Sequence, residues 1–188
     1  MIAGLVLAAG AGTRFGGRKQ LAELDGRPLL EHALAAMASA PVKPIVVVLG
    51  AEADLVREGV DLHGAEPIVC DEWQEGQSAS LRTGVEALER AGAEAVVVTL
   101  GDQPQIAARA IAAVVAARAP GQADAVRATY AGKPGHPVLL ERALFDPVCE
   151  LRGDVGAREV LRAARVTDVP CDGLGDPADV DTPGDLRG

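Results

Sequence analysis

Apolar residues in this chain gather in short runs, separated by longer stretches in which apolar and polar positions are mixed. Continuous apolar runs of this length are typical of strands buried on both faces of a sheet. They predict strands at Ile2 to Ala8, Ile45 to Leu49, Ile68 to Cys70, Ala95 to Leu100 and Ala125 to Thr129. The stretches between them are rich in Ala, Leu, Glu and Arg, which favour helix formation. They predict helices at Leu29 to Ser39, Ala53 to Gly59, Ser78 to Arg90, Ile106 to Arg118 and Ala157 to Ala164.

This alternation of strands and helices predicts an α/β fold with a doubly wound, mostly parallel sheet between two helical layers. We expect a single domain spanning residues 1–188, since a chain of this length can bury one large core. In such sheets, ligands bind beyond the carboxyl ends of the strands. The loops expected at that edge are Ala9 to Lys19, Asp71 to Gln77 and Gly101 to Pro104.

Composition and charge narrow the class of protein. Hydrophobic residues make up 48% and aromatic residues 2% of the sequence, so the core must be built from Ala, Val, Leu and Ile. A formal charge of −9 argues against a nucleic-acid partner, which needs an extended basic surface. No apolar run reaches the roughly 18 residues of a membrane helix, and the stretch from Met1 to Val6 does not resemble an export leader. We therefore expect a soluble, cytoplasmic protein without a membrane partner.

The loop after the first predicted strand has the composition of a phosphate-binding loop. Within LAAGAGTRFGGRK, residues 7–19, glycines stand at positions 10, 12, 16 and 17 beside Arg14, Arg18 and Lys19. Glycine permits positive φ angles and lets backbone N–H groups approach an anion, while Arg and Lys neutralise its charge. Lys19 draws attention because the chain has only three lysines beside fifteen arginines. The alternative interpretation is a flexible connection between a strand and a helix.

Two common phosphate-binding motifs do not fit this loop. A P-loop places Lys directly after its last Gly, whereas Gly17 is followed by Arg18. A dinucleotide fingerprint needs Gly where Phe15 stands, and an acidic residue about 20 positions later at the end of a second strand. The second predicted strand ends near Leu49, which is too late. The loop is therefore a candidate anion site of another kind.

Two acidic positions are candidates for holding a metal ion near those phosphates. Asp102 lies two residues after the fourth predicted strand, inside TLGDQP at 99 to 104, which puts it at the ligand edge of the sheet. Mg²⁺ takes one or two carboxylates together with substrate phosphate oxygens, so a second acid is expected. Asp181 in the acidic C-terminal segment is our choice. The alternatives are a turn or helix-capping role for Asp102 and a merely solvated tail around Asp181.

A set of motifs covers nearly the whole chain. They are LAAGAGTRFGGRK at 7 to 19, GQSASLRTG at 76 to 84, TLGDQP at 99 to 104, GHPVLL at 135 to 140, GDVGAR at 153 to 158 and DVDTPGDL at 179 to 186. Together they resemble the MobA-like family of molybdopterin nucleotidyltransferases, and most closely its molybdenum cofactor cytidylyltransferase branch. The resemblance implies a Rossmann-like fold of three layers, of the nucleotide-diphospho-sugar transferase type.

The resemblance also implies roles for residues of the first loop and of the acidic pair. Those that would contact the nucleoside are Leu7, Ala8, Ala9, Gly10 and Gly101. Those that would hold the triphosphate are Gly12, Arg14 and Lys19. Asp102 and Asp181 would hold Mg²⁺ as the cofactor. The candidate catalytic residues are Arg14, Lys19 and Asp102.

Further positions are implied around the base and the acceptor. Gln77 and Ser80 would face the base, although the alternative is an ordinary helix start with Ser78 as its cap. The loops that carry His136 and Asp154 would line the acceptor side. For His136, an isolated loop histidine, a structural role is the alternative.

The implied reaction is transfer of a nucleoside monophosphate, CMP from CTP, to a phosphorylated acceptor such as molybdopterin, with release of pyrophosphate. The cytidylyl branch resembles this chain in having Ala9 inside LAAG and Leu100-Gly101 inside TLGDQP. Because a side chain at residue 9 should restrict the room for a purine, we expect CTP. An acceptor phosphate brings its own nucleophile, so positioning and charge compensation suffice. The implied partners are the nucleoside triphosphate, the acceptor, and a molybdoenzyme or its chaperone. Two rivals are a nicotine-blue-type oxidoreductase of the same family and a nucleotide-binding module without turnover.

Overall fold

The computed structural model describes residues 1–187, and its strands form one large sheet and one small hairpin. The strands are β1 (Ile2–Ala8), β2 (Glu23–Leu24), β3 (Arg27–Pro28), β4 (Ile45–Leu49), β5 (Glu66–Val69), β6 (Ala95–Leu100), β7 (Ala125–Tyr130), β8 (Lys133–Glu141) and β9 (Val166–Pro170). The seven-stranded sheet has the order β5-β4-β1-β6-β8-β7-β9, while β2 pairs with β3.

Helices connect most of these strands. They are α1 (Leu29–Ala38), α2 (Ala53–Gly59), α3 (Gln77–Arg90), α4 (Ala108–Ala116), α5 (Phe145–Cys149) and α6 (Arg158–Leu161). Short 3₁₀ turns lie at Thr13–Phe15, Lys19–Leu21, Trp73–Glu75, Arg142–Leu144 and Pro183–Arg187. Within residues 1–187, no helix combines the length and the apolar character needed to cross a membrane.

The centre of the sheet is parallel. β1 pairs with β4 on one side and with β6 on the other, so that Leu7 lies opposite both Val48 and Leu100. β8 inserts between β6 and β7 and runs antiparallel to both. The carboxyl ends of β1, β4 and β6 therefore meet at one edge of the sheet, where a ligand is expected. The prediction of a doubly wound, mostly parallel sheet is confirmed.

Helices cover both faces of the sheet and bury two largely aliphatic clusters. On one face, α1, α2 and α4 contribute Leu30, Leu34, Met37, Val56 and Ile111. On the other face, α3 and α5 contribute Leu81, Val85, Leu88 and Phe145. Burial of such side chains supplies the main favourable free energy of folding, at about 1.5–3 kcal/mol for each large one. The predicted three-layer arrangement is confirmed.

Most of the predicted elements have the bounds that the structure gives to within one residue, and the exceptions are β5, α4 and α6. β5 is Glu66–Val69 rather than Ile68 to Cys70, and α4 ends at Ala116 rather than Arg118. The prediction for the last helix was too long, since α6 covers only Arg158–Leu161. The sequence pattern does not predict the hairpin strands β2 and β3, nor β8, β9 and α5. β8 begins with Lys-Pro-Gly-His-Pro, and proline cannot donate to a ladder, so this stretch lacks the usual signature of a strand.

Candidate functional site

A cleft of about 760 Å³ opens where β1 and β6 end. Leu7 and Leu100, at the ends of those strands, form its floor, and the loop after β1 forms one wall. The opposite wall is the 3₁₀ turn Trp73–Glu75 together with the start of α3. The C-terminal segment closes a further side with Asp179 and Asp181. The cleft therefore lies at the edge where the fold predicts a ligand.

The loop after β1 is shaped by left-handed backbone and by one buried amide. Gly12 has φ 57°, and a Cβ there would lie 2.7 Å from the Lys19 Cβ, so the turn requires glycine. Gln20 Nε2 donates to the carbonyl oxygens of Ala8 at 2.9 Å and Gly10 at 2.8 Å, which ties the loop to the end of β1. In the part of the chain that the structure describes, the backbone N–H groups of residues 10–14 donate to no protein acceptor. These N–H groups are available to an anion.

Opposite charges meet directly beside this loop. Lys19 Nζ lies 2.8 Å from Asp102 Oδ2 and 3.2 Å from Asp181 Oδ1. Arg14 Nη1 lies 3.1 Å from Asp181 Oδ2. The Lys19 side chain is only 10% exposed, whereas Arg14 is 80% exposed and is free to move onto a ligand. The structure thus brings together residues far apart in sequence that were predicted to share one site.

The C-terminal segment is held against the end of β6 rather than left in solvent. Val180 N donates to Asp102 O at 2.9 Å. Gln103 Nε2 donates to Pro177 O at 2.9 Å and to Asp179 Oδ1 at 2.8 Å. The interpretation of this segment as a merely solvated tail is therefore wrong. Burial, with the negative charges of Asp102 and Asp181 nearby, raises the pKa of Asp179.

The acidic pair suits a hard divalent cation that also binds substrate oxygens. Two carboxylates, from Asp102 and Asp181, already share one cation, the Lys19 ammonium. No group of three or more His, Cys, Asp or Glu side chains within residues 1–187 is arranged to hold a metal ion. A Mg²⁺ or Mn²⁺ ion held here would therefore need phosphate oxygens or water to complete its ligand set, as is usual for Mg²⁺.

The start of α3 faces the cleft and rests on the loop before α6. Gln77 and Ser80, the two residues expected to face the base, line the cleft. Ser78 is not a helix cap: α3 begins at Gln77, and Ser78 Oγ instead donates to Gly153 O at 2.6 Å. A Cβ on Gly76 would lie 2.7 Å from the Asp154 backbone, so the two segments approach as closely as backbone allows.

A second pocket, of about 360 Å³, adjoins the first and contains the predicted acceptor residues. His136 and Asp154 line it, and Leu7, Gln77 and Asp154 form the border that it shares with the cleft. Burial lowers the pKa of His136 to about 4, with Asp102 acting weakly in the opposite direction. His136 is therefore neutral at pH 7. Arg158, which the sequence reasoning did not single out, also lines this pocket.

The remaining predicted residues lie slightly behind the cleft. Ala8, Gly12, Lys19 and Gly101 line a small pocket of about 100 Å³ that shares Leu7, Gly10 and Asp102 with the cleft. Gly101 packs against β1, since a Cβ there would lie 3.0 Å from the Ala8 Cβ. Sequence reasoning missed Gln20, Gln103 and Trp73. Gln103 and Trp73 stand inside a motif or loop named above, and Gln20 directly follows one. The side-chain bonds that anchor such loops leave no pattern in a single sequence.

A family model and two relatives match this chain in sequence. The model describes the MobA-like NTP transferase domain and matches residues 4–169. The nicotine blue oxidoreductase of Paenarthrobacter nicotinovorans is 31% identical over 86% of this chain and 81% of its own. The 2-C-methyl-D-erythritol 4-phosphate cytidylyltransferase of Cereibacter sphaeroides is 38% identical over 66% of this chain and 57% of its own.

A solved structure agrees with these matches. Rv0371c from Mycobacterium tuberculosis H37Rv, crystallised in complex with manganese, superposes with a TM-score of 0.82 and 30% identity. The superposition covers 99% of this chain and 96% of that one. The resemblance to the MobA-like family inferred from the motifs is thereby confirmed in sequence and in fold. This chain belongs to the MobA-like NTP transferase family.

Proposed function

We propose that this protein is a Mg²⁺-dependent nucleotidyltransferase that transfers CMP from CTP to a phosphorylated acceptor such as molybdopterin and releases pyrophosphate. The observation that carries the proposal is the cluster in which Lys19 Nζ lies 2.8 Å from Asp102 and 3.2 Å from Asp181, beside the glycine-rich loop. A triphosphate and its metal ion require cations and carboxylates next to one another in this way.

The loop and its cations bind the triphosphate. The backbone N–H groups of residues 10–14 donate hydrogen bonds to phosphate oxygens. Arg14 and Lys19 compensate the negative charge that develops as pyrophosphate leaves. Asp102 and Asp181 hold the metal ion, which acts as a Lewis acid on phosphate oxygens when bound. The manganese complex of the 30% identical Rv0371c supports a divalent-metal site in this fold.

The nucleoside lies between β1 and the start of α3. Ala9 is 3% exposed at the end of β1, and its methyl group limits the room for a large base. Gln77 and Ser80 supply an amide and a hydroxyl for hydrogen bonds to the base edge. The 38% identical relative that is named a cytidylyltransferase supports CTP as the donor.

The acceptor enters from the adjoining pocket. His136 is neutral at pH 7, so it offers a hydrogen bond there rather than a charge. Arg158 supplies positive charge to the same pocket, which suits a phosphorylated acceptor. We place the reaction in the cytoplasm, where nucleoside triphosphates are formed, with a molybdoenzyme or its chaperone as the recipient of the product.

The relative named nicotine blue oxidoreductase gives the rival activity its basis. Two features of this chain favour nucleotidyl transfer instead. The loop after β1 has Phe15 where a dinucleotide fingerprint needs glycine. The cleft offers Trp73 for stacking on a pigment, but its other walls carry mainly small, polar or acidic residues.

Product formation distinguishes these activities. The protein is mixed with CTP and GTP at equal concentration, Mg²⁺ and molybdenum-loaded molybdopterin; pyrophosphate release is followed, and the product is identified by mass spectrometry. Pyrophosphate release with CMP incorporation is the expected result. Predominant GMP incorporation would contradict the assignment of CTP as the donor but would still support nucleotidyl transfer. Oxidation of reduced nicotinamide in the presence of the pigment, without pyrophosphate release, would establish the oxidoreductase. Nucleotide binding with neither reaction would establish a module without turnover.

A further inference from the structure

The position between the two candidate metal ligands is already filled by a side chain. Lys19 Nζ lies 2.8 Å from Asp102 Oδ2 and 3.2 Å from Asp181 Oδ1. A metal ion held by these two carboxylates would lie close to the ammonium. Two cations at such a distance repel by about 4 kcal/mol or more even at an intermediate dielectric. The ammonium and the metal ion therefore exclude each other from this position.

The backbone fixes the stem of Lys19 but not its ammonium. Lys19 begins the 3₁₀ turn Lys19–Leu21, its Cβ packs against Gly12, and the preceding residue is held by a 2.8 Å bond from Arg18 N to Glu52 Oε1. Three methylene groups separate the Lys19 Cβ from Nζ, so rotation about the bonds beyond Cβ can carry the charge from the carboxylates to a neighbouring anion. The free N–H groups of residues 10–14 mark where that anion would lie.

Charge balance decides when this exchange is favourable. The carboxylates of Asp102 and Asp181 are paired with the cations Lys19 and Arg14. A divalent ion that enters alone displaces Lys19 and leaves its charge without a partner. A divalent ion that enters with a triphosphate brings the anion that Lys19 can pair with instead.

We propose that Lys19 is the resident counterion of the metal position in the nucleotide-free protein, and that it moves to the triphosphate only when metal and nucleotide arrive together. The inference rests on the proposed function, because it takes Asp102 and Asp181 as the metal ligands. It adds a second role to Lys19: besides binding phosphate, Lys19 keeps free divalent ions out of the empty site. The metal should consequently bind as its nucleotide complex.

The test measures binding of Mn²⁺ to the nucleotide-free protein. Binding is recorded as the decrease in the electron paramagnetic resonance signal of free Mn²⁺. Lys19→Met keeps an unbranched apolar stem of similar length but removes the charged ammonium group. Lys43→Met is the matched control, because Lys43 is exposed and the change in net charge is the same. We expect Lys19→Met to bind Mn²⁺ at least about tenfold more tightly than wild type. Lys43→Met should bind Mn²⁺ as wild type does.

Two further measurements separate failure of the inference from failure of the metal assignment. Adding Asp181→Asn to Lys19→Met should abolish the gain, and added CTP should strengthen Mn²⁺ binding by wild type far more than by Lys19→Met. Equal Mn²⁺ affinity in wild type and Lys19→Met, lost from both with Asp181→Asn, would overturn the inference and leave the metal site intact. Mn²⁺ binding that Asp181→Asn does not change in any variant would remove the metal site, and the inference with it.

Discussion

At the scale of single residues, Asp102 and Asp181 each present one oxygen to the same cation. We expect Asp102→Asn and Asp181→Asn each to lower the rate of nucleotidyl transfer by about 10²–10³ or more, since each removes one charge from a preorganised site. Circular dichroism should remain that of wild type, because asparagine keeps the side-chain size. Asp146→Asn, at an exposed position in α5, is the control and should leave the rate unchanged. If Asp181→Asn kept the wild-type rate and Mg²⁺ dependence, Asp181 would not be a metal ligand.

His136 predicts a dependence of stability on pH. The pKa of His136 is lowered from 6.5 to about 4 in the folded protein. Below pH 6.5 the imidazole is therefore protonated in the unfolded chain but stays neutral in the folded chain. The contribution of neutral His136 to the free energy of unfolding is therefore complete above about pH 6.5 and is lost as the pH falls toward 4. Urea unfolding between pH 7.5 and 4.5 measures this loss. His136→Asn should show a shallower decline, by at most about 1.4 kcal/mol per pH unit; parallel declines in the two proteins would contradict the assignment.

At the scale of elements, the loop before α6 sets the position of the Gln77 side chain. A Cβ on Gly156 would overlap Gln77 Oε1 and lie 3.0 Å from Gln77 Cδ. Gly156→Ala should therefore displace the amide that faces the base and change the preference for CTP over GTP, within the roughly 1–3 kcal/mol that one pocket contact supplies. Competition between the two nucleotides, analysed by mass spectrometry, measures this preference.

The control for Gly156→Ala is Gly184→Ala, at a position where a Cβ would meet only Thr182 Oγ1, at 3.5 Å. Its nucleotide preference and melting temperature should match those of wild type. If Gly156→Ala also kept the wild-type preference, Gln77 would not read the base.

The same scale shows why some elements could be predicted from sequence and others could not. β1, β4 and β6 are continuous apolar runs buried on both faces, and their ends located the glycine-rich loop and Asp102 in advance. β9 lies at the sheet edge with most of its residues exposed, so it carries no such run. The C-terminal segment is held to the end of β6 by the backbone bond from Val180 to Asp102 and by Gln103, whose two side-chain bonds span more than seventy residues. Contacts of that range leave no local pattern in the sequence.

At the scale of the whole molecule, the strands of the sheet and the C-terminal segment occupy separate parts of the sequence. Every strand of the sheet ends by Pro170, whereas Asp181 follows in the segment that closes one side of the cleft. A chain that stops after Gly175 should keep its circular dichroism spectrum and melt about 5–10 °C lower, because it loses buried Val180. That the whole chain forms one domain stays a prediction.

Metal binding supplies the decisive measurement on that truncated chain. With CTP present, Mn²⁺ affinity should fall to the level of the full-length Asp181→Asn variant. Full Mn²⁺ affinity in a chain that lacks residues 176–188 would show that the C-terminal segment is not part of the metal site.

Trp73 gives the cleft an optical reporter. It is the sole tryptophan of the sequence, and it lines the wall opposite the glycine-rich loop. The fluorescence excited at the red edge of the absorption band therefore originates from one place in the molecule. A nucleobase that enters the cleft should quench this emission and shift its maximum, so that affinity and on-rate can be recorded by stopped flow without a label. Because Trp73 is built into the wall of the cleft, every variant that retains it can be titrated in the same cuvette.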